Sequence, residues 1–425
     1  MKVAVIGSGF TGLGAALGLL FKGHKITVIE ATSLPGGLAG GFKDHNWSWS
    51  LEHHYHHLFG TDSLALELGR RVGCPINFYS VNSSTLYKHK FHRFDNPVAL
   101  LSFPLLSFTD KLRTGAVLAF FKIWPFWHIF EGVTSDFLLN KLMGKKAFDI
   151  LWRPLFEKKF HSFWSQISAV WFWARIKFRT QALAYPEGGF LQLAEKTVTY
   201  LKNNGVKFEF NSPVTSLKKT SDGFQVTTAN GAQVFDRVIS TLPVSVTQKI
   251  ARFYSCSSQM NHLGAVNLVL ELKNPLLPNG IYWLNINDSD LPFLAVVEHT
   301  NFIDSGHYGQ KPLVYVGNYL PAGHQYFSLT ADQLLQKYLP GLKKINPDFS
   351  TDWVSKSWIF KAAYAQSIVT VNFKDQLPPM VTSTPGFFVA NIQQVYPHDR
   401  GINYSLKLGY RVASLVNNSE MQYES

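Results

Sequence analysis

The sequence predicts an α/β chain, with a doubly wound parallel-sheet domain interleaved with a second domain of mixed sheet and helices. Three observations predict it. The N-terminus reads strand, glycine turn, helix, strand. Further strand and helix blocks recur at 185–240 and 386–412. Between them lie an aromatic, helix-patterned stretch and a stretch that alternates like sheet. The expected parts are a discontinuous cofactor domain (1–75, 181–260 and 375–425) and a substrate domain (76–180 and 261–374).

Lys2–Ile6 (KVAVI) is apolar and β-branched, the pattern of a buried strand. Gly7-Ser8-Gly9-Phe10-Thr11-Gly12 follows as a GxGxxG turn. Gly7 permits the tight turn, Gly9 lets the backbone approach a pyrophosphate, and Gly12 lets helix and strand pack closely. The small, apolar run 13–20 is then a helix whose free N–H groups face the phosphates. Lys25–Ile29 is the second strand, and Glu30 ends it 18 residues after Gly12. A carboxylate there meets ribose hydroxyls, so these parts together specify a Rossmann-type dinucleotide site.

Gly36-Gly37-Leu38-Ala39-Gly40 places a glycine doublet just past the second strand, where backbone amides can close over the phosphates from the other side. Tyr185-Pro186-Glu187-Gly188-Gly189 opens a helix with Leu191, Ala194, Val198 and Leu201 on one face. Asn203-Asn204-Gly205 ends it, strand 206–210 leads to Val214, and Gly223–Thr228 and 234–240 read as strands. At the C-terminus, strand 386–391 precedes Tyr396-Pro397-His398-Asp399-Arg400-Gly401-Ile402-Asn403 and a helix.

The two glycine motifs and the C-terminal block resemble the superfamily of flavin amine oxidases, carotenoid desaturases and protoporphyrinogen oxidases. The GGLAG form is similar to the last two branches. The resemblance implies non-covalent FAD. It implies that Val214 pairs with the adenine through its backbone. It places Gly401 and Ile402, at a helix N-terminus, against the flavin pyrimidine edge, where the dipole stabilises negative charge. Asn391, standing where the family's ribityl-binding acid stands, and Asp399 are the two candidates for the ribityl hydroxyls.

Residues 98–180 are helix-patterned and aromatic, whereas 263–363 alternate, with 263–271 and 311–317 as the clearest strands. Segment 115–130 (GAVLAFFKIWPFWHIF) is too short to span a bilayer and is broken by Lys122 and Pro125. It reads either as part of a membrane-interface contact through 98–130, with Lys111 and Arg113 beside it, or as a buried helix over the substrate cavity.

The 425 residues are 46% apolar, 16% charged and 15% aromatic, which excludes a disordered chain and supplies ample core. Forty Lys and Arg against 28 Asp and Glu give a net charge of +12, pointing to an anionic partner. The basic residues are dispersed with no recognition motif, so nucleic acid is not expected. Cys74 and Cys256 form no paired motif, which excludes a disulfide scaffold and a zinc-thiolate site. The expected location is cytoplasmic, including the inner face of a membrane.

For the chemistry, Glu52-His53-His54-Tyr55-His56-His57 stands out. In an extended chain His54 and His56 share one side. That pair reads as active-site residues, including a general base, as a metal pair, as a covalent flavin attachment, or as structural histidines. No metal is expected. The resemblance also implies a lysine holding a water near the flavin, for which Lys361 is the candidate with Lys356 behind it. The function expected is FAD-dependent hydride removal from a C–H of a small, apolar substrate, of isoprenoid or porphyrinogen kind. Two alternatives remain: a redox-neutral sugar mutase gripping a diphosphate through Arg153, Arg175 and Arg179, and a non-catalytic flavin-bound scaffold at a membrane. An arginine-lined cavity, an aromatic-lined one, or none at the reactive face distinguishes the three.

Overall fold

The computed structural model describes residues 1–258 and 260–421. Five parallel strands form one sheet in the order Lys207–Glu209, Lys25–Ile29, Lys2–Ile6, Arg237–Ser240, Phe387–Val389. Counted along the chain this is 3-2-1-4-5, the doubly wound order. It reverses beside the first strand and opens a crevice at the carboxyl ends. Both faces of that strand are covered, so Val3, Ala4 and Val5 have no exposed surface. Val3 and Val5 join the core of helices Phe10–Leu19, Gly189–Asn203 and Ile402–Met421. Ala4 and Ile6 face the antiparallel strands Ser216–Thr220, Gly223–Thr228 and Gly231–Phe235.

The expected strand 234–240 is two strands in two sheets. Asp236 is the break: its N–H donates to the Lys2 carbonyl and its carboxylate accepts from the Lys2 N–H. Gly231–Phe235 can then stay in the antiparallel layer while Arg237–Ser240 joins the parallel one.

Helices Phe10–Leu19 and Ile402–Met421 meet backbone to backbone. A Cβ at Gly14 would lie 2.8 Å from the Leu406 carbonyl oxygen, and one at Gly18 would lie 2.7 Å from Ala413 Cβ. One at Gly409 would overlap the Thr11 carbonyl oxygen. This contact brings both helix N-termini, at Phe10 and Ile402, to the same crevice.

Most of the remaining chain forms a seven-stranded mixed sheet, a three-stranded sheet (Leu58–Phe59, Ala182–Pro186, Ile76–Ser80) and a helical cap. The sheet order is Val354–Ser367, His262–Leu272, Leu313–Leu320, Ala295–Glu298, Ile281–Ile286, Asn82–Tyr87, Lys90–Arg93. Helix Ala331–Ile345 covers one face through Leu334, Tyr338 and Leu342. The cap comprises helices Phe108–Ile123, Ser135–Met143, Lys145–Leu151, Arg153–Phe160 and Ala169–Phe178, and its core is aromatic: Phe121, Phe148, Phe156, Trp171 and Phe172. Segment 115–130 is not the buried helix offered as one reading, because only Phe121 and Phe130 in it are buried and none of it lines the cavity that runs from the crevice. No described helix is long and apolar enough to cross a membrane.

Candidate active site

A cavity of about 580 Å³ runs from the crevice of the parallel sheet to the mixed sheet and the helical cap. At its first end the two glycine segments pair with each other: Gly36 N–H donates to the Ser8 carbonyl at 3.0 Å, and Gly9 and Gly36 form a parallel bridge. Gly7, at φ +100°, holds the turn, and a Cβ there would meet Thr241 Oγ1 at 2.6 Å. Gly12 does not touch the cavity; a Cβ on it would overlap the Gly7 carbonyl oxygen, so its role is close packing. Glu30 Oε2 accepts from Ser8 N–H and Ser8 Oγ at 2.8 Å, and Oε1 accepts from Thr32 at 2.9 Å. The carboxylate is thereby fixed at the strand tip, lining the cavity with Gly7, Gly9, Phe10, Thr11, Gly36, Gly37 and Leu38.

The C-terminal block reaches the same cavity. Asn391, Asp399, Gly401 and Ile402 all line it. Asn391 is 2% exposed; its Oδ1 accepts from Gln393 N–H, while its buried Nδ2 has no partner. FAD fits this arrangement: a glycine cradle, a carboxylate fixed at the strand tip and two helix N-termini that line the cavity. Val214 is not among the cavity-lining residues, and its side chain is partly buried against the Leu217 and Phe224 cluster.

At the far end, strand Leu51–Glu52 ends before the histidines, and the chain from His53 to His57 is not extended. The alternation expected there therefore fails. His53 stacks on Phe360 at 4.4 Å, whereas His54, Tyr55, His56 and His57 all line the cavity. Glu52 anchors the turn: its carboxylate accepts from Tyr185 Oη and from Phe190 N–H at 2.8–2.9 Å, at the start of helix Gly189–Asn203. Burial raises its pKa to about 7 against those hydrogen bonds.

Hydrogen bonds fix the two imidazoles differently. Asn267 Nδ2 lies 2.7 Å from His54 Nδ1 and 3.4 Å from the His53 carbonyl, so the amide donates and His54 Nδ1 accepts. The proton of neutral His54 is then on Nε2. His56 Nδ1 lies 2.5 Å from the His54 carbonyl and must donate to it, leaving a lone pair on its Nε2. Burial lowers His54 to about 3 and His56 to about 4, with nearby charge adding to the effect, so both are neutral at pH 7.

Around them stand four basic side chains, Lys159, Arg175, Arg179 and Arg400, and Asp399; burial holds the Lys159 pKa well below the usual lysine value. Burial raises the Asp399 pKa, but Lys159 and the three arginines outweigh it and keep the carboxylate ionised. The wall opposite combines small side chains (Ala265, Ala295, Ala362, Ala363, Ala365) with Trp283 and Tyr319. The cavity thus has both arginines and aromatic residues at its far end, and it does not close there as the scaffold alternative requires.

Two sequence-based candidates are corrected. Lys361 is exposed, its Nζ donates to the Leu329 carbonyl at 2.7 Å, and it lies outside the cavity. The cavity lining begins one residue later, with Ala362 to Ala365. Arg153 pairs with Glu157 and Asp149 along its own helix and is also outside. Lys159 and Asn267 were missed. Lys159 follows Lys158 in a charged helical stretch that reads as a solvated face, and Asn267 sits within an apolar strand where it reads as an interruption.

The flavin containing amine oxidoreductase family model matches residues 10–416. Among solved structures, a provisional protoporphyrinogen oxidase from Exiguobacterium sp. 255-15 shares 15% identity, with a TM-score of 0.77 and 98% of both chains covered. Reduced UDP-galactopyranose mutase gives 15% identity and TM-score 0.76, over 98% of this chain and 95% of that one. Cyclohexylamine oxidase from Brevibacterium oxydans IH-35A gives 12% and 0.74, over 99% of both. These likenesses show the fold. Zeta-carotene desaturase from Solanum lycopersicum is 32% identical over 139 residues, 28% of this chain and 22% of that protein. The matched part thus spans about a fifth of that relative's length.

Proposed function

The chain belongs to the flavin-containing amine oxidoreductase family and is an FAD-dependent oxidoreductase, and from that premise we propose that it removes a hydride from a substrate C–H. FAD supplies the hydride acceptor, its N5, when bound. The substrate proposed has an apolar body of isoprenoid or porphyrinogen kind. The observation that carries this reading is the single cavity joining the glycine cradle to a wall of small and aromatic side chains beside two neutral histidines. We read residues 1–75, 181–260 and 375–425 as the cofactor domain, and 76–180 and 261–374 as the substrate domain.

Loss of a hydride from carbon leaves a cation unless a proton also departs, from an adjacent O–H, N–H or C–H. His56 Nε2 carries the lone pair that takes this proton. His54 Nε2–H can only donate, and orients the substrate. Anaerobic mixing of the holoprotein with isoprenoid and porphyrinogen candidates, followed by loss of the flavin absorption band, tests the reading. With the substrate that bleaches the band, His56→Gln is expected to slow reduction about 10²-fold or more at unchanged FAD content. An unchanged rate would remove His56 from the chemistry.

The mutase reading keeps one supporting observation, the arginines at the far end of the cavity. It requires turnover of a nucleotide sugar only after the flavin is reduced, and failure of that assay discards it.

The helical cap is the proposed contact with an anionic membrane surface, through 98–130 and on to Phe137. Val98, Phe108, Ile123, Phe126 and Phe137 are all 60% or more exposed, and Lys111, Arg113, Lys122 and Lys141 flank them. Apolar side chains ringed by cations suit an interface of acidic headgroups. Co-sedimentation is expected with vesicles containing phosphatidylglycerol and not with neutral phosphatidylcholine alone. Replacing Ile123 and Phe126 by serine is expected to weaken binding about tenfold or more. Equal recovery of both proteins would reject the surface.

A further inference from the structure

Lys159, Arg175, Arg179 and Arg400 line the far end of the cavity with Asp399 as the carboxylate they share. Three of them, Lys159, Arg175 and Arg179, make no side-chain hydrogen bond or close ion pair among the described residues. Arg175 lies over the Trp171 ring at 5.4 Å and Arg179 over Phe59 at 5.8 Å, without a hydrogen bond or ion pair. Lys159 is 7% exposed and also has rings for neighbours, with Trp171 at 4.8 Å and Tyr319 at 5.5 Å. Arg400 donates to the Ala365 carbonyl at 2.9 Å and to Tyr319 Oη, leaving its buried Nε unpartnered.

Arg179 is exposed and Arg175, Arg400 and Asp399 are half-buried, so water reaches the cluster; a substrate that displaces this water leaves more positive than negative charge, which an acidic group on the substrate would balance. The cofactor's diphosphate does not supply that anion. Its cradle is backbone, and Gly7–Gly12 and Gly36–Gly40 contain no Lys or Arg. Three of the four basic side chains come from the helical cap, Lys159 on Arg153–Phe160 and Arg175 on Ala169–Phe178, with Arg179 just beyond its end. Arginine's planar fork is suited to two-oxygen groups, and a ring beneath each guanidinium holds the fork in plane.

We propose that Lys159, Arg175, Arg179 and Arg400 form a binding site for an acidic group of the substrate, a carboxylate or phosphate, which anchors it while its C–H faces the flavin. The inference rests on the hydride-transfer reading above and narrows its substrate class to amphipathic acids.

The test is titration of the FAD-loaded protein with sodium pyrophosphate and, separately, with sodium glutarate, at ionic strength fixed by sodium chloride. The readouts are the flavin difference spectrum and the melting temperature. Saturable change is expected with at least one probe, and which one distinguishes phosphate from carboxylate. The double variant Arg175→Gln/Arg179→Gln is expected to bind that probe at least tenfold more weakly at unchanged FAD content, while Lys361→Gln, on the outer surface, binds as the parent does. Three results would overturn the proposal: no saturable response to either probe, equal affinity in the double variant, or loss of FAD in parallel with loss of anion binding. The last would assign the basic side chains to the cofactor. Rapid flavin reduction by an uncharged hydrocarbon, unaffected in the double variant, would also reject the anion site while leaving hydride transfer intact. Anion binding without flavin reduction by any C–H donor would instead reject hydride transfer and keep the site.

Discussion

Gly409→Ala is expected to strip the protein of FAD and to cost about 3 kcal/mol or more of stability. A Cβ at Gly409 would overlap the Thr11 carbonyl oxygen, lie 2.5 Å from the Ala15 nitrogen and 2.7 Å from the Gly14 carbonyl carbon. All three are backbone atoms, so no rotamer change relieves the contact; one helix must move. Each of the two helices presents its N-terminus to the cavity, through Phe10 and Ile402. Their separation would pull apart the glycine cradle and the Gly401–Ile402 segment, both of which line the cavity. The check is the ratio of flavin to protein absorbance after purification, with the denaturant midpoint. Gly23→Ala is the control: its φ is +77° but nothing lies within 4 Å of the new Cβ. It is expected to cost only about 1 kcal/mol of backbone strain and to keep its FAD. Full flavin occupancy in Gly409→Ala would show that this helix contact does not position the site.

The contrast between these glycines marks how far the sequence could be read. The turn at Gly7, Gly9 and Gly12 was legible because its physics is local: a strand, a tight turn and a helix within a few residues. Gly36 and Gly37 were legible for the same reason, by their place just past the second strand. Gly409 carries no local signal, because the atom that excludes a side chain there belongs to residue 11, at the other end of the chain. The far end of the cavity was legible only as composition. Arginine was expected to distinguish one function from another, yet the structure selects Arg175 and Arg179 and leaves Arg153 in an i,i+4 pair. All three are arginines in the same helix-patterned stretch, and only tertiary packing decides which face of each helix looks inward. Lys361 shows the same limit in a strand. A one-residue step separates a cavity-lining alanine from an outward lysine, and just past it the strand's own register shift, with Ala362 to Gln366 opposite Ala265 to Leu263, breaks the alternation that pattern would read.

Acid is expected to unfold the protein steeply, with stability roughly level above pH 7 and falling below pH 6. Five buried histidines are held neutral in the fold: His54, His57 and His299 are lowered to about 3, His56 and His398 to about 4, with burial the leading cause in each. A lowered base stabilises the fold above its unfolded pKa of about 6.5 and loses that contribution as pH falls. Three buried acids oppose this. Burial raises Glu52 and Glu298 to about 7 and Asp62 to about 6. A raised acid stabilises the fold below its unfolded pKa and loses the contribution as pH rises to 6–7. Burial also lowers His53, His92 and His324 and raises Glu195, so near pH 5.5 the unfolded chain holds more imidazole protons than the fold holds carboxyl protons. Stability therefore falls on acidification, by about 1.4 kcal/mol per pH unit for each proton of that excess. Below about pH 4.5 the unfolded acids protonate as well, and the slope steepens. Denaturant unfolding at fixed pH values between 4.5 and 8 measures it. His299 offers a clean single-site check, since it lies outside the cavity and bonds only Tyr308 Oη, at 2.9 Å. His299→Gln removes one proton of that excess, so its slope between pH 6 and 5 is expected to be shallower than the parent's by about 1.4 kcal/mol per pH unit. A parent curve flat from pH 7 to 5 would mean that the cavity histidines are protonated in the fold. In that case His56 Nε2 would hold a proton rather than accept one, and the hydride-transfer reading would need another base.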